Sequence, residues 1–543
     1  VGAVRARAPS TARVAEWRSP PPLWVGCHAQ TPGSTPGERG MGFGHHPREA
    51  EARAKVAVRR NSDAENGLVP VLGIDLGTSY MRMGIWKKGD VTLIPNEHGV
   101  LVTPTWVAFT KEGVLVGDSA RAQVDSNMEN TFFAPQRLIG SRINNPCVQW
   151  YARHWPSRLE RGEDDKPVLR VRNRGEEQSY SPEELVSLLL AHLRRAAEAH
   201  LGQKINDVVL TVPARYGRIQ REAIIEACRG AELHAVELVK APTAAAVAYT
   251  LTNQKRAHGH VLVIDMGSSY FDFALVSIEN NVITECAFGT DFVELERCMM
   301  QLCQEDLRER WGASINGDRR ATMRLRRACE IAKRRLSLCD QARIEVRELA
   351  PSLDYCCFLS KHHFEEICKE ELDTLLEPIG WCLEDCGVER AEVSEVVLVG
   401  GSAHIPVLKR AVREFFHGMR PLEVMKPENA AVLGATAYAA ALTRVGEDAL
   451  PELKGLELRA AVPWSTVPAG QADLEVGPCA LLDRPLLRGS EGPLPPKPRT
   501  RVCFKKLAAR PEHSVPGDVE LQDSDDWNDL EEETPVRMAR SQL

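Results

Sequence analysis

The segment Gly73-Ile-Asp-Leu-Gly-Thr-Ser-Tyr80 recurs far along the chain as Val263-Ile-Asp-Met-Gly-Ser-Ser-Tyr270. Each copy is an apolar strand that ends on an aspartate, followed by a glycine turn and two small hydroxyl residues. The gap between the copies is too large for a stacked solenoid, whose repeats run about 20–50 residues. It fits two similar domains, each opening on a β-hairpin whose turn faces a shared cleft. Around the copies, strand-like and helix-like stretches alternate from Val69 to about Val445. Examples are the apolar strand Val208–Val212, the helical stretch Pro182–His200 and the strand Val396–Val399. That alternation predicts layered α/β structure.

Outside this region the character changes. A length of 543 residues suggests about three or four structural units. Residues 1–68 are rich in Pro, Gly, Ala and Arg and lack periodicity, so they are expected to be a disordered leader, with Met41 as a plausible true start. They show no apolar core of a secretory signal. Glu16, Glu38, Glu49 and Glu51 argue against an organelle transit peptide. Residues 446–543 hold many prolines and the acidic stretch Asp523–Glu533, and are expected to be mostly irregular. Within them, residues 480–504 suggest two short strands around Pro493–Pro498, a faint remnant of a further β-domain.

Composition narrows the function classes. A net charge of -7 and a pI near 6.2 give no general attraction to nucleic acid or anionic membrane. No apolar run approaches the ~18 residues of a membrane helix. The 15 cysteines include no C-x-x-C unit. The closest pairs are Cys356–Cys357, Cys298–Cys303 and Cys382–Cys386, none with zinc-ribbon spacing. Reduced thiols in a reducing compartment, cytoplasmic or nuclear, are the expectation.

Four elements carry chemistry. In the first loop, Gly77 permits close backbone approach to a polyphosphate, while Thr78 and Ser79 offer hydroxyl and amide donors. Asp75, at the strand end, would face a metal through water. Taken alone, the loop is equally a tight hairpin turn. The second loop repeats the logic with Asp265, Gly267 and Ser268, and Asp272 points the same way as Tyr270. Asp272 is alternatively a surface strand carboxylate. The third element, Leu398-Val-Gly-Gly-Ser-Ala-His-Ile-Pro406, runs a buried strand into Gly400 and Gly401, with Ser402 expected to cap a helix starting near Pro406. It is otherwise a plain turn between strand and helix. The fourth is helical: Glu330, Lys333, Arg334 and Ser337 fall at i, i+3, i+4 and i+7, on one face. Such a stripe suits a ribose and a purine, or else is a solvated charged face.

Together and in this order, these elements resemble the nucleotide-binding domain of the 70-kDa heat-shock chaperone family. Further strings support it: Thr103-Pro-Thr-Trp-Val-Ala-Phe-Thr110, Gln136-Arg-Leu-Ile-Gly140, His154-Trp-Pro156, Thr211-Val-Pro-Ala214 and Pro242-Thr-Ala-Ala-Ala246. The resemblance covers about Val71 to Val445. It implies an actin-like two-lobed ATPase fold over 69–445, a duplicated α/β core closing on ATP or ADP with Mg²⁺. It assigns Thr78, Ser79 and Tyr80 to phosphate contacts, and Asp75, Asp265 and Asp272 to the metal and catalytic region. Glu330, Lys333, Arg334 and Ser337 become the adenosine face, opposite Gly400, Gly401, Ser402, His404 and Glu428.

Departures from the family pattern cluster at one end. The family's catalytic Lys is Gln136, in Ala134-Pro135-Gln136-Arg137. Losing such a charge typically costs on the order of 3 kcal/mol in the transition state. The family's Asn-Glu-Pro-Thr is Lys240-Ala241-Pro242-Thr243, so the Glu that holds metal-bound water is missing. Losses of this kind weaken metal placement roughly 10- to 100-fold. A three-glycine loop is Gly267-Ser268-Ser269 followed by Tyr270, a Gly-Gly-Glu string is Glu294-Leu295-Glu296, and an adenine-stacking Arg is His404. A basic residue that receives J-domain co-chaperones is Glu237, and the leucine-rich linker is interrupted in Leu450-Pro-Glu-Leu-Lys-Gly-Leu-Glu-Leu458. The resemblance thus implies an ATP-binding, chaperone-like protein with unfolded clients as partners, a weakened Mg²⁺ site, and weak or absent hydrolysis. J-domain partners are put in question. The alternative is a non-enzymatic scaffold or regulator of other chaperones.

Overall fold

The structure, a computed structural model, describes residues 70–145, 148–149, 151–152, 158–253, 257–292, 295–422, 426–443, 453 and 455–459. The expectations for 1–68, Met41 and the tail beyond 459 lie outside these residues, as do His154, Glu294 and Leu450.

Two similar sheets form the frame. In the first, His234–Lys240, Asp207–Val212 and Leu72–Leu76 run parallel, and Leu72–Leu76 then pairs antiparallel with Tyr80–Lys87, which pairs with Asp90–Leu93. In the second, Val393–Val399 runs parallel to Gly259–Met266, which pairs antiparallel with Tyr270–Glu279, followed by Val282–Phe292. The repeated motif thus builds the same hairpin at the same place in each sheet. The inner parallel strands are apolar along their length because both faces are covered; every residue of Asp207–Val212 is buried. Beyond residue 445, Glu457–Arg459 adds a parallel edge strand to the second sheet through Val282–Thr284, and Leu453 packs beneath it.

Two alanine-rich helices lie between the sheets. Ala430–Thr443 packs on the first sheet, Ala241–Thr252 on the second, and the two helices pack on each other. Small side chains allow this close approach. A Cβ on Gly434 would lie 1.7 Å from the carbonyl oxygen of Ala244, and one on Gly73 would lie 2.5 Å from the Thr436 backbone.

The expected helix 182–200 runs Pro182–Leu201. Ser181 and Glu184 form a reciprocal capping box at its start, and Gly202 ends it at φ +69°. The helix Arg319–Leu336 is capped by the Asp318 carboxylate, which accepts from the Ala321 amide at 2.9 Å. Ala321, Leu325, Cys329, Ala332 and Leu336 bury one stripe of it in the second-lobe core. That leaves the Glu330–Arg334 edge toward the cleft. The described cysteines are free thiols. Among the described residues no helix is long and apolar enough to cross a membrane.

Candidate functional site

Between the two hairpins lies a cavity of about 480 Å³. The first lobe supplies Asp75, Gly77, Thr78, Ser79, Tyr80 and Gln136. The second supplies Asp265, Gly267, Ser268, Asp272, Glu330, Lys333, Arg334, Ser337, Gly400, Gly401, Ser402, His404 and Glu428. Residues separated by more than three hundred positions therefore share one wall. The tertiary structure gathers the whole set read from the sequence.

The loops face each other closely. Ser79 Oγ donates to Ser268 Oγ at 2.9 Å, a hydrogen bond across the cleft. The Thr78 carbonyl accepts from the Thr105 hydroxyl, and also from Gln136 Nε2 at 3.3 Å. Gln136 Nε2 donates to the Gly77 carbonyl at 2.6 Å as well. Gln136 is buried, and its Oε1 has no hydrogen-bond partner. The turn Pro135–Arg137 that presents it starts from Ala134 in a left-handed conformation at φ +51°, and Tyr216 donates its hydroxyl to the Gln136 carbonyl at 2.5 Å. The amide protons of Gln136 thus go to loop carbonyls. In the second loop, the Gly267 amide donates to the Tyr270 carbonyl at 2.9 Å. The Tyr270 ring lies under the Arg215 guanidinium at 5.0 Å and near Arg137 at 6.0 Å.

Asp75 and Asp272 are held by their own partners. Asp75 Oδ1 accepts from the Thr211 hydroxyl at 2.8 Å, and its Oδ2 lies 3.9 Å from Arg82 Nη1. Burial raises the Asp75 pKa, against the pull of Arg82 and Thr211. Asp272 is 3% exposed, which excludes a surface carboxylate. It accepts from the Ala214 amide at 3.0 Å, a bond between the lobes, and from Thr290 at 2.6 Å. Its pKa is raised by burial. Asp265 is pushed well above the ordinary range, first by burial and then by the charges of Asp272 and Asp75.

On the second-lobe helix that lines the cleft, Lys333 is buried and its Nζ meets Glu296 Oε1 at 2.5 Å. Arg334 pairs with Glu330 at 2.5 Å, and its guanidinium lies 4.9 Å from the Tyr80 ring centroid. Ser337 is the C-terminal cap of the helix rather than part of its body. Opposite, Gly400 takes φ +86°; a Cβ there would lie 2.4 Å from the Met266 carbonyl and 2.5 Å from Asp265 Oδ1. Gly401 faces open space. Ser402 does not cap the following helix: Ile405 stands at the N-cap of Pro406–Phe415, and the Ser402 hydroxyl donates to the Gly267 carbonyl at 2.8 Å. A short 3₁₀ turn over Gly401–His404 rotates Ser402 back onto the second loop. His404 Nε2 is 3.0 Å from Glu428 Oε2.

Three residues that matter here went unread in the sequence as site groups. In the sequence Thr211 stands only within Thr211-Val-Pro-Ala214 and Glu296 only within Glu294-Leu295-Glu296, and Arg82 belongs to none of the motif strings. A signal for Arg82 existed. It stands seven positions after Asp75, as Asp272 stands seven after Asp265.

Comparison with known proteins agrees with this geometry. Residues 71–471 match the family model described as Hsp70 protein. The chain is 34% identical over 413 residues to heat shock cognate 70 kDa protein 3 of Dictyostelium discoideum, covering 73% of this chain and 66% of that protein. It is 35% identical over 380 residues to heat shock 70 kDa protein 2 of Paracoccidioides lutzii, covering 69% of this chain and 58% of that one. The match thus spans about three-fifths of the length of these curated relatives. Its paired sheets, its facing Asp-x-Gly loops and the family match over most of its length together make the chain a member of the Hsp70 family, with that family's actin-like nucleotide-binding fold.

Proposed function

We propose that this chain is the nucleotide-binding part of an Hsp70-type chaperone, taking ADP or ATP in the interlobe cleft and hydrolysing ATP slowly or not at all. One observation carries the reading: the adenosine-face residues and both hydroxyl-bearing loops line a single cavity of about 480 Å³, within the range of small-molecule sites. The residues suit a nucleotide. Gly401 leaves room for a base against the backbone, since a Cβ there meets nothing. Lys333, Arg334 and Ser337 offer donors along one side, and the Ser79 and Ser268 hydroxyls exchange their mutual bond for phosphate oxygens.

The hydrolytic end suits catalysis poorly. Gln136 carries no charge, and its amide protons are bound to Gly77 and Thr78. A divalent cation, when bound, neutralises phosphate charge. Ala241 has no carboxylate with which to hold such a cation's water shell, and both oxygens of Asp272 are engaged. This supports a weakened metal site. Clients would be unfolded proteins. The half-buried carboxylate of Glu237 disfavours an acidic J-domain loop, and the free thiols favour a reducing, cytoplasmic or nuclear setting. The same losses at Gln136 and Ala241 also support the second reading, a non-enzymatic scaffold or regulator of other chaperones.

Calorimetric titration of the full chain with ADP and with ATP tests the first reading. Saturable binding is expected; absence of heat at high protein concentration leaves only the scaffold. Restoring Gln136→Lys and Ala241→Glu together is expected to raise single-turnover hydrolysis by about 10²-fold or more. No rise means that the missing charges are not what limits turnover.

A further inference from the structure

The duplicated hairpins pair equivalent residues across their strands. Asp75 faces Arg82 in the first hairpin, and Asp265 faces Asp272 in the second. One arm of the pseudo-repeat therefore carries a carboxylate where the other carries a guanidinium. Arg82 lines the same cleft as Asp75, Asp265 and Asp272. Its Nη1 lies 3.9 Å from Asp75 Oδ2, and both side chains are 13% exposed. Its Nε is buried with no hydrogen-bond partner. The guanidinium also lowers the carboxyl groups of Asp265 and Glu428 electrostatically, so its field reaches across to the second lobe.

This arrangement does not suit a divalent cation. Mg²⁺ keeps an octahedral shell of oxygens and leans on carboxylates through its waters. Here Asp75 offers one oxygen to Thr211 and the other toward Arg82. Asp272 gives its oxygens to Ala214 and Thr290. Asp265 Oδ1 lies against Gly400, close enough that even a Cβ there would clash. Among the described residues no three carboxylate, imidazole or thiol side chains converge as direct ligands of an ion. A fixed positive charge beside Asp75 also repels any cation that approaches it. The same guanidinium is permanently charged, weakly hydrated and shaped to grip phosphate oxygens.

We propose that Arg82 performs the charge neutralisation that a divalent cation would otherwise supply at the phosphate end, so that nucleotide binding in this cleft is independent of divalent metal. The proposal rests on the nucleotide-binding reading of the cleft. Asp75 and Asp265 then keep a resident counter-ion whether or not a ligand is present. The polyphosphate meets a guanidinium fixed by its strand in place of an exchangeable ion.

The test compares ADP affinity of the full chain in excess EDTA and in millimolar Mg²⁺. The two dissociation constants are expected to agree within twofold. A tenfold or greater tightening by Mg²⁺ overturns the proposal. Arg82→Met is expected to lose at least tenfold affinity in EDTA and to regain it with Mg²⁺, while Arg82→Lys keeps the metal-independent behaviour. A folded Arg82→Met that matches wild type in both buffers also overturns it, and if that variant fails to fold, the wild-type comparison still decides. If ADP binds in neither buffer, the nucleotide reading falls. The role of Arg82 is then read from Mn²⁺ alone, by the electron paramagnetic signal of the free ion. No stoichiometric Mn²⁺ site in wild type and one in Arg82→Met supports metal exclusion by Arg82. A site in wild type, or none in the variant, refutes it.

Discussion

Removing the amine of Lys333 probes both the stability and the chemistry of the cleft. Lys333 Nζ lies 2.5 Å from Glu296 Oε1, and the side chains are 9% and 6% exposed. The second carboxylate oxygen of Glu296 is buried and has no hydrogen-bond partner. Lys333→Met keeps most of the side-chain volume but strands that carboxylate in a site with little water. Losing one partner of such a buried pair costs about 3–5 kcal/mol. Lys333→Met/Glu296→Met removes both charges and is expected to return to within about 1 kcal/mol of wild type, because the desolvation cost of the pair disappears with it. Urea unfolding of wild type, both single variants and the double variant closes a thermodynamic cycle whose coupling is expected to be at least about 5 kcal/mol, because each single loss is large and the double loss is small. ADP affinity is measured alongside. It is expected to fall in Lys333→Met and to stay low in the stable double variant, since the amine donor is gone in both. A Lys333→Met cost below about 1 kcal/mol, the scale of a surface ion pair, refutes the buried arrangement. Full ADP affinity in the double variant refutes Lys333 as part of the nucleotide face.

Two further outcomes follow from particular contacts. Gly434→Ala places a Cβ 1.7 Å from the Ala244 carbonyl in the helix–helix contact between the sheets. The helices must separate, so a loss of at least about 3 kcal/mol in chemical denaturation is expected, at or above the usual overpacking range; a loss under 1 kcal/mol contradicts the close approach. Burial raises the pKa of Glu237, against the Leu238 amide and the Arg221 charge. The native state therefore holds this proton more tightly than the unfolded chain, and stability falls as pH rises from the ordinary value near 4.5 through the native pKa. Glu237→Gln is expected to remove that loss, so its melting temperature gains on wild type as pH rises from 4.5 to 7.5; a constant difference refutes the burial.

Much of the site was legible because its chemistry sits in short strings. The two Asp-Gly-hydroxyl loops announced themselves by repetition, and the helical spacing of Glu330, Lys333, Arg334 and Ser337 put them on one face whatever their partners. What the strings hid was pairing. Lys333 reads as a free amine in a helix, yet it is neutralised by Glu296, because the helix Leu295–Trp311 packs beside it. Ser402 reads as a helix cap, yet the 3₁₀ turn sends its hydroxyl to Gly267. Gln136 reads as a missing charge. The fold adds that its amide ties down the first loop.

Strand and helix periodicity, the duplicated motif and the glycine positions are local properties. They depend on residues a few places apart, so the amino-acid order by itself determined the α/β class, the two-lobed plan and which side chains share one helix face. Which charges meet depends on cross-strand register and on helices separated by hundreds of residues. The facing of Arg82 to Asp75 and of Asp265 to Asp272 was decided by the register within each hairpin, and the bridge from Ser79 to Ser268 only when the alanine-rich helices brought the two sheets together. Electrostatic terms at a few ångströms change sign with such placement.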